Sequence, residues 1–134
     1  MKIASICKPV WVLRLSLGLS YLYSGYDLFT HPTGWHWALR PLPQFAQTII
    51  NDTIGADLYL KTQGVAEMIM AFLFLAWFLP KAGVRVAAFL SALQMAIILI
   101  FVGLTLETFR DIPILGASVA VFLITFQKYE RAAK

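Results

Sequence analysis

The chain has 134 residues, of which 60% are hydrophobic and only 13% are charged. A soluble domain averages about 25% charged residues, so this composition excludes an ordinary water-exposed surface. The net charge of +4 does not indicate nucleic-acid binding, because the basic residues cluster at predicted helix ends, where they set topology or meet anionic lipid. A single cysteine excludes an internal disulfide framework and a Cys-x-x-Cys redox pair. The sequence predicts one all-α integral membrane domain over residues 1–134.

The first predicted span covers residues 11–29, about the length that roughly 30 Å of hydrocarbon requires. Besides an apolar face, it has two stripes of polar or small residues. One consists of Ser16, Ser20, Tyr23, Ser24 and Asp27, and the nearly opposite one of Arg14, Gly18, Tyr21 and Gly25. A helix with two such stripes is expected to contact several partner helices. We do not predict a cleaved signal peptide, because no small-x-small site follows.

Three further spans are predicted at 60–79, 84–106 and 112–126. Between the first two spans lies a long segment, 31–59, whose prolines exclude a continuous helix through its first half. Apolar spacing within it predicts a short helix at 44–54, which either lies on the membrane interface or packs over the bundle mouth as a lid. The periodicity does not separate these two alternatives.

The distribution of lysine and arginine predicts the orientation. With both termini inside, eight of these residues lie on the cytoplasmic side, and only Arg40, Lys61 and Arg110 lie outside. The predicted architecture is therefore a four-helix membrane bundle, N-in and C-in, with the long loop between the first two spans facing outward.

Glu67 is the most informative residue, because a carboxyl group deep in a span is costly unless it is hydrogen-bonded, neutral or facing a cavity. Matched depths on antiparallel spans place Tyr21, Ser24 and Gln94 near it, and Gln63 shares its helix face. These five residues are the candidate ligand-binding group. They predict either a proton-exchanging site that binds a quinone headgroup, or a structural acid that locks helices together.

The outer ends of the predicted spans carry several charges. Asp27 lies level with Lys61, and the same rim holds Glu107, Arg110 and Asp111. This pattern predicts an ion-pair rim. We favour a structural role for it, closing the outer end of the bundle, over a docking surface for an external domain.

No catalytic residue is predicted from the remaining charged or metal-ligating residues. We expect Arg14 to reach the inner headgroups rather than act as a catalytic cation. His31 and His36 lack the close Cys/His spacing that is typical of a zinc site, so we predict no metal.

Several short motifs resemble the DoxX family of small bacterial membrane proteins. They are Arg14 followed by Leu-x-Leu-Gly-Leu, Ser24-Gly25-Tyr26-Asp27, Gly64-Val65-Ala66-Glu67, and Phe109-Arg110-Asp111 with Leu115-Gly116-Ala117. The resemblance runs from about residue 13 to residue 123. It implies a four-helix protein of the bacterial cytoplasmic (inner) membrane. Members of this family are linked to redox chemistry, including the small subunit of a thiosulfate:quinone oxidoreductase, but the family brings no assigned catalytic residue.

The expected function is a membrane subunit of a redox complex, with quinone as the candidate ligand and no covalently bound cofactor. Such a chain is not a self-contained enzyme, and its expected partners are the lipid bilayer and other membrane subunits rather than nucleic acid. The alternative is a non-catalytic scaffold or accessory subunit that anchors or stabilises a larger assembly. A transporter is the least expected, since the spans show no repeated breaks.

Overall fold

The computed structural model describes residues 9–106 and 108–130, with side chains described up to residue 126. This part of the chain is all-helical and contains no strand. Its five α-helices are α1 (Pro9–Thr30), α2 (Gln44–Ile49), α3 (Ala56–Leu75), α4 (Lys81–Val102) and α5 (Asp111–Glu130). Two 3₁₀ segments, Pro32–Leu39 and Thr108–Arg110, and a π-helical turn, Ile50–Ile54, lie in the connections.

Three helical stretches are long and apolar enough to cross a membrane: Ala56–Leu75, Lys81–Val102 and Thr108–Phe126. Large apolar side chains on these stretches point outward, among them Ile69, Phe89 and Ile100. Extended apolar surface of this kind is rare on soluble proteins and marks contact with lipid or another apolar partner. Length, composition and outward apolar faces together indicate a membrane protein.

The first helix has the length of a span but is not among these three stretches. It has 22 residues, and Arg14, Asp27 and several serines and tyrosines lower its hydropathy. In the predicted stripe of Arg14, Gly18, Tyr21 and Gly25, the last three residues are buried and Arg14 is partly buried. In the opposite polar stripe, Ser24 and Asp27 are partly buried, whereas the other members are exposed.

The long helices form two closely packed pairs. Helix α1 runs along α3, and α4 runs along α5, while smaller contacts between α1 and α5 and between α3 and α4 join the pairs. A continuous apolar core lies among them. Its fully buried members include Phe74, Ala87, Ala88 and Val121. These side chains hold the four helices in a fixed arrangement around the candidate site.

Two helices end earlier than the sequence predicts. Helix α3 stops at Leu75 rather than residue 79, since the backbone of Ala76 is already extended. Helix α4 stops at Val102 rather than residue 106. Gly103, with a φ of 77°, turns the chain there, a conformation that only glycine adopts easily.

The predicted helix over 44–54 is confirmed as α2 together with the π-helical turn. These two elements contact one another, and the turn contacts α3, whereas neither packs extensively on α4 or α5. Phe45 and Ile49 of α2 are exposed. This placement beside α3 favours an interfacial helix over a lid across the helix ends.

The packed helices have two chemically different ends. The arginine end holds Arg14 near the start of α1 and Arg85 near the start of α4. The opposite, carboxylate end holds Asp27 at the close of α1, Asp57 at the start of α3 and Asp111 at the start of α5.

Candidate functional site

Glu67 is a buried carboxyl group held by one side chain from each of three helices. It lies near the middle of α3, with 6% of its surface exposed. Its Oε1 accepts a hydrogen bond from Gln94 Nε2 of α4 at 3.0 Å and a longer one from Gln63 Nε2 of α3 at 3.4 Å. Its Oε2 accepts a hydrogen bond from the hydroxyl of Ser24 on α1. We refer to Ser24, Gln63, Glu67 and Gln94 as the Glu67 cluster.

Two glycines bring α1 close enough to α3 for Ser24 to reach Glu67. A Cβ atom on Gly25 would lie 2.7 Å from the carbonyl oxygen of Gly64, and a Cβ on Gly64 would lie 2.6 Å from that of Gly25. Both distances are shorter than van der Waals contact allows, so the two backbones touch only because neither residue has a side chain. Small residues serve the same purpose in closely packed membrane helices.

The surroundings of Glu67 supply hydrogen-bond donors but no opposite charge. All three of its donors are uncharged, and no basic side chain forms an ion pair with it among those that the structure describes. Because an unpaired buried charge is costly, gaining a proton or binding a hydroxyl donor would relieve part of that cost at Glu67.

The geometry accommodates Glu67 with or without a proton. As a carboxylate, Oε2 accepts from the Ser24 hydroxyl. As a carboxylic acid, an Oε2–H group would donate to the Ser24 oxygen instead, since a hydroxyl both donates and accepts. The Gln94 and Gln63 amides donate to Oε1 in either state. The cluster can therefore exchange a proton without losing its contacts.

Tyr21, predicted to belong with Glu67, lies in a separate network. Its hydroxyl hydrogen-bonds the Ser91 hydroxyl at 2.7 Å, and Ser91 in turn contacts the Ser118 hydroxyl at 2.5 Å. Ser118 also donates to the carbonyl of Ile114 at 2.7 Å, and the Tyr21 ring stacks on Phe74 with centroids 6.3 Å apart. This hydroxyl chain joins α1, α4 and α5 one helical turn from the Glu67 cluster.

The predicted pairing of Asp27 with Lys61 is not formed. Trp35 Nε1 donates to Asp27 Oδ2 at 2.8 Å, and His31 Nδ1 lies 3.1 Å from Asp27 Oδ1. Both partners follow Asp27 closely in sequence and occupy its two oxygens, whereas Lys61 lies on an exposed part of α3. The long segment is thereby tied to the end of α1.

The other predicted members of the rim do not form a cluster with Asp27. Arg110 is exposed and its charge acts on the half-buried Asp111 beside it, while Glu107 lies outside the described residues. A second carboxylate–histidine contact is present instead: His36 Nε2 lies 2.6 Å from Asp57 Oδ1. The rim is therefore a set of separate contacts rather than a network.

Arg14 caps a helix at the arginine end. Its Nε donates to the carbonyl of Phe74 at 2.8 Å and its Nη2 to that of Ala76 at 3.0 Å, while the guanidinium lies 4.1 Å from the Trp11 ring centroid. These carbonyls belong to the end of α3, where backbone acceptors lack intrahelical partners. Arg14 lies at the helix ends, as predicted, but its guanidinium hydrogen-bonds the last carbonyls of α3 rather than only reaching the headgroups.

The sequence did not single out Arg85 or Ser118. Arg85 Nη2 donates to the carbonyl of Thr125 at 3.2 Å, and the guanidinium stacks on Phe126 at 4.1 Å from its centroid. Like Arg14, Arg85 donates to a backbone carbonyl of another helix and lies against an aromatic ring, but Thr125 lies five residues before the end of α5. A comparison of the residues near the start of each span would have revealed the arginines. Ser118 shows no pattern that distinguishes it from other small residues.

The described residues contain no group of three His, Cys, Asp or Glu side chains close enough to hold a metal ion. A shallow apolar groove lies on the outward face of α1, between the exposed side chains of Leu19, Leu22, Tyr23 and Tyr26. None of these residues belongs to the Glu67 cluster. The groove therefore marks a surface feature separate from the buried polar layer.

Comparisons of the chain with protein-family models, curated proteins and solved structures found no match.

Proposed function

We propose that the chain is a four-helix membrane bundle of the bacterial cytoplasmic membrane, with both termini inside and α2 on the outer surface. The eight-to-three distribution of lysine and arginine supports this orientation. Helix α1 would be the fourth span. Its two charged side chains lie near its ends, and Arg14 and Asp27 are both hydrogen-bonded, which lowers their cost within lipid.

We propose further that it is a DoxX-like subunit of a redox complex and binds a quinone headgroup at the Glu67 cluster. The observation that carries this proposal is a buried carboxyl group surrounded by uncharged donors. A quinone exchanges two electrons and two protons. Gln63 would donate to its carbonyl oxygen, and the Glu67 carboxylate would accept from the hydroxyl of the reduced form.

Gln63 is the member of the cluster best placed to engage a ligand. Its contact with Glu67 is the longest at 3.4 Å, and its side chain is only partly buried. Redirecting its amide toward a ligand would leave Glu67 with its bonds from Ser24 and Gln94. In this proposal the electrons come from a partner subunit of the complex.

The test is Glu67→Gln, which keeps the size of the side chain and its acceptor oxygen but removes proton exchange. Quinone-dependent turnover of the native complex should be lost while the protein still inserts and assembles. Ser24→Ala, which removes the donor to Glu67 Oε2, should lower turnover. Ser20→Ala is its matched control, since Ser20 is exposed on the same helix. Full activity of the Glu67→Gln variant would show that the acid is structural and reject the quinone proposal.

A non-catalytic scaffold is the second candidate, and a specific observation favours it. Every buried side-chain nitrogen and oxygen in the described residues already has a hydrogen-bond partner, so the Glu67 cluster is satisfied without a ligand. In this case purified chain should bind no quinone, and deleting it should destabilise other membrane subunits. Isolation in mild detergent, followed by mass spectrometry of copurified proteins and lipids, separates the two candidates.

A further inference from the structure

The outward face of α1 differs in chemistry from that of α4. Through the middle of α4 the exposed side chains are all apolar, among them Leu93 and Ile97. Helix α1 instead exposes a hydroxyl residue at every seventh position: Ser16, Tyr23 and Thr30. Ser16 and Thr30 donate to carbonyls of their own helix, whereas the Tyr23 side chain is 76% exposed. Because polar groups are costly against lipid chains, this face is better suited to contact with protein.

An apolar seam with heptad spacing runs beside these hydroxyl residues. Its members follow one another at alternating intervals of three and four residues, and all are exposed: Val12, Leu15, Leu19, Leu22, Tyr26 and Phe29. In heptad notation they occupy positions a and d, and the three hydroxyl residues occupy position e. Two helices that carry such a seam can pack along one another as a coiled coil. Spacing of this kind also suits contact with lipid, so the seam alone does not identify what covers it.

The groove on α1 identifies the partner, because its four residues form a coiled-coil hole. Leu19, Leu22, Tyr23 and Tyr26 occupy positions a, d, e and the next a. In a parallel pair of helices, these four positions surround the d side chain of the facing helix. The d side chain at this level is that of Leu22, so the knob and the hole belong to the same sequence. A second copy in the same membrane orientation supplies both again.

We propose that a second copy of this chain packs along α1 as a parallel, two-fold symmetric pair. Leu22 of each copy occupies the groove of the other, which is the self-complementary contact that two-fold symmetry requires. The inference rests on the proposed position of α1 as the fourth span and does not depend on the quinone. Close packing of matched side chains drives association between membrane helices. The pairing also covers part of the edge that carries Ser16 and Tyr23.

Disulfide crosslinking of the full chain in lipid vesicles tests the contact. Replacing the chain's single cysteine, Cys7→Ser, gives a cysteine-free background. Leu22→Cys should then form an intermolecular disulfide under mild oxidation, because d residues of facing helices lie side by side across the two-fold axis. Leu93→Cys is the matched control and should stay uncrosslinked. Its exposed fraction is 45%, against 44% for Leu22, but it lies on α4.

Energy transfer between donor-labelled and acceptor-labelled chains measures the same association without a crosslink. Diluting the protein with lipid at constant vesicle composition gives the dissociation constant. Leu22→Ala should raise this constant roughly tenfold, since it removes the knob and widens the hole. Leu93→Ala should leave it unchanged. Both side chains are exposed within one copy, so neither variant disturbs the core.

Absence of crosslinking at Leu22, equal crosslinking at Leu93, or energy transfer that Leu22→Ala does not weaken would overturn the pairing. A maleimide that does not cross membranes separates this failure from a failure of the proposed span. Labelling of Leu22→Cys by that reagent would show that α1 does not span the membrane, and would reject both proposals. A Leu22→Cys side chain that is protected from the reagent yet uncrosslinked would reject the pairing alone.

Discussion

Gln94 Nε2 of α4 lies 3.0 Å from Glu67 Oε1 of α3. This hydrogen bond connects two helices that share much less contact than α1 shares with α3. The Tyr21–Ser91 hydrogen bond, at 2.7 Å, makes a second connection between the α1–α3 pair and the α4–α5 pair. Polar contacts therefore fix how the two helix pairs are aligned, in an interior otherwise filled by apolar side chains.

Replacing Gln94 by leucine should destabilise the protein, because it removes a donor from a buried carboxyl group. Glu67 would keep its bonds from Ser24 and Gln63, so the expected cost is that of one hydrogen bond, about 0.5–1.5 kcal/mol. The free energy of unfolding in mixed micelles measures the effect. Leu93→Ala is the control, since Leu93 is exposed on the neighbouring position of α4. Equal stability of Gln94→Leu and the wild type would show that this bond contributes little.

Gly25→Ala should push α1 away from α3 and weaken the Ser24–Glu67 contact. The added Cβ would lie 2.7 Å from the Gly64 carbonyl oxygen, and overpacking of this kind costs roughly 1–3 kcal/mol. Gly116→Ala is the matched control, because no atom lies within 4 Å of its added Cβ. Unfolding of both variants should be compared under the same conditions. A Gly25→Ala variant as stable as Gly116→Ala would contradict the close backbone approach.

Tyr21→Phe should lower stability without affecting ligand binding at Glu67. It removes the 2.7 Å hydrogen bond to Ser91, and a hydrogen bond of this type is worth about 1 kcal/mol. Tyr23→Phe, at a position that is 76% exposed, should have no effect. Quinone binding by the two variants should match. A selective loss of binding in Tyr21→Phe would instead place Tyr21 in the ligand site, as the sequence alone predicted.

Arg14→Gln should loosen the end of α3. The arginine donates to the carbonyls of Phe74 and Ala76, and hydrogen bonds from charged groups are worth about 1.5–3 kcal/mol. Amide hydrogen exchange of α3 should increase near Leu75 in particular. Lys81→Gln, at an exposed position of the same end, provides the control. If exchange near Leu75 were unchanged, the guanidinium would not be acting as a cap.

The sequence by itself determined the helical class, the membrane character and the position of the buried acid. These follow from composition and from apolar runs of sufficient length, which depend on local chemistry. The contacts of Glu67 with Ser24, Gln63 and Gln94 could also be predicted, because residue numbers on antiparallel helices indicate which side chains lie at the same depth. The DoxX resemblance and the quinone ligand stay predictions.

Only the tertiary structure decided which polar groups pair with each other. Depth on a helix predicts the layer of a side chain but not the direction in which it points, so Tyr21 could be assigned to Glu67 although it bonds Ser91. Likewise, matched depth predicted that Asp27 pairs with Lys61, whereas Trp35 and His31 contact the two carboxylate oxygens of Asp27. The rotation of each helix about its axis determines which of these polar groups pair. That rotation is set by the Gly25–Gly64 contact and by apolar packing.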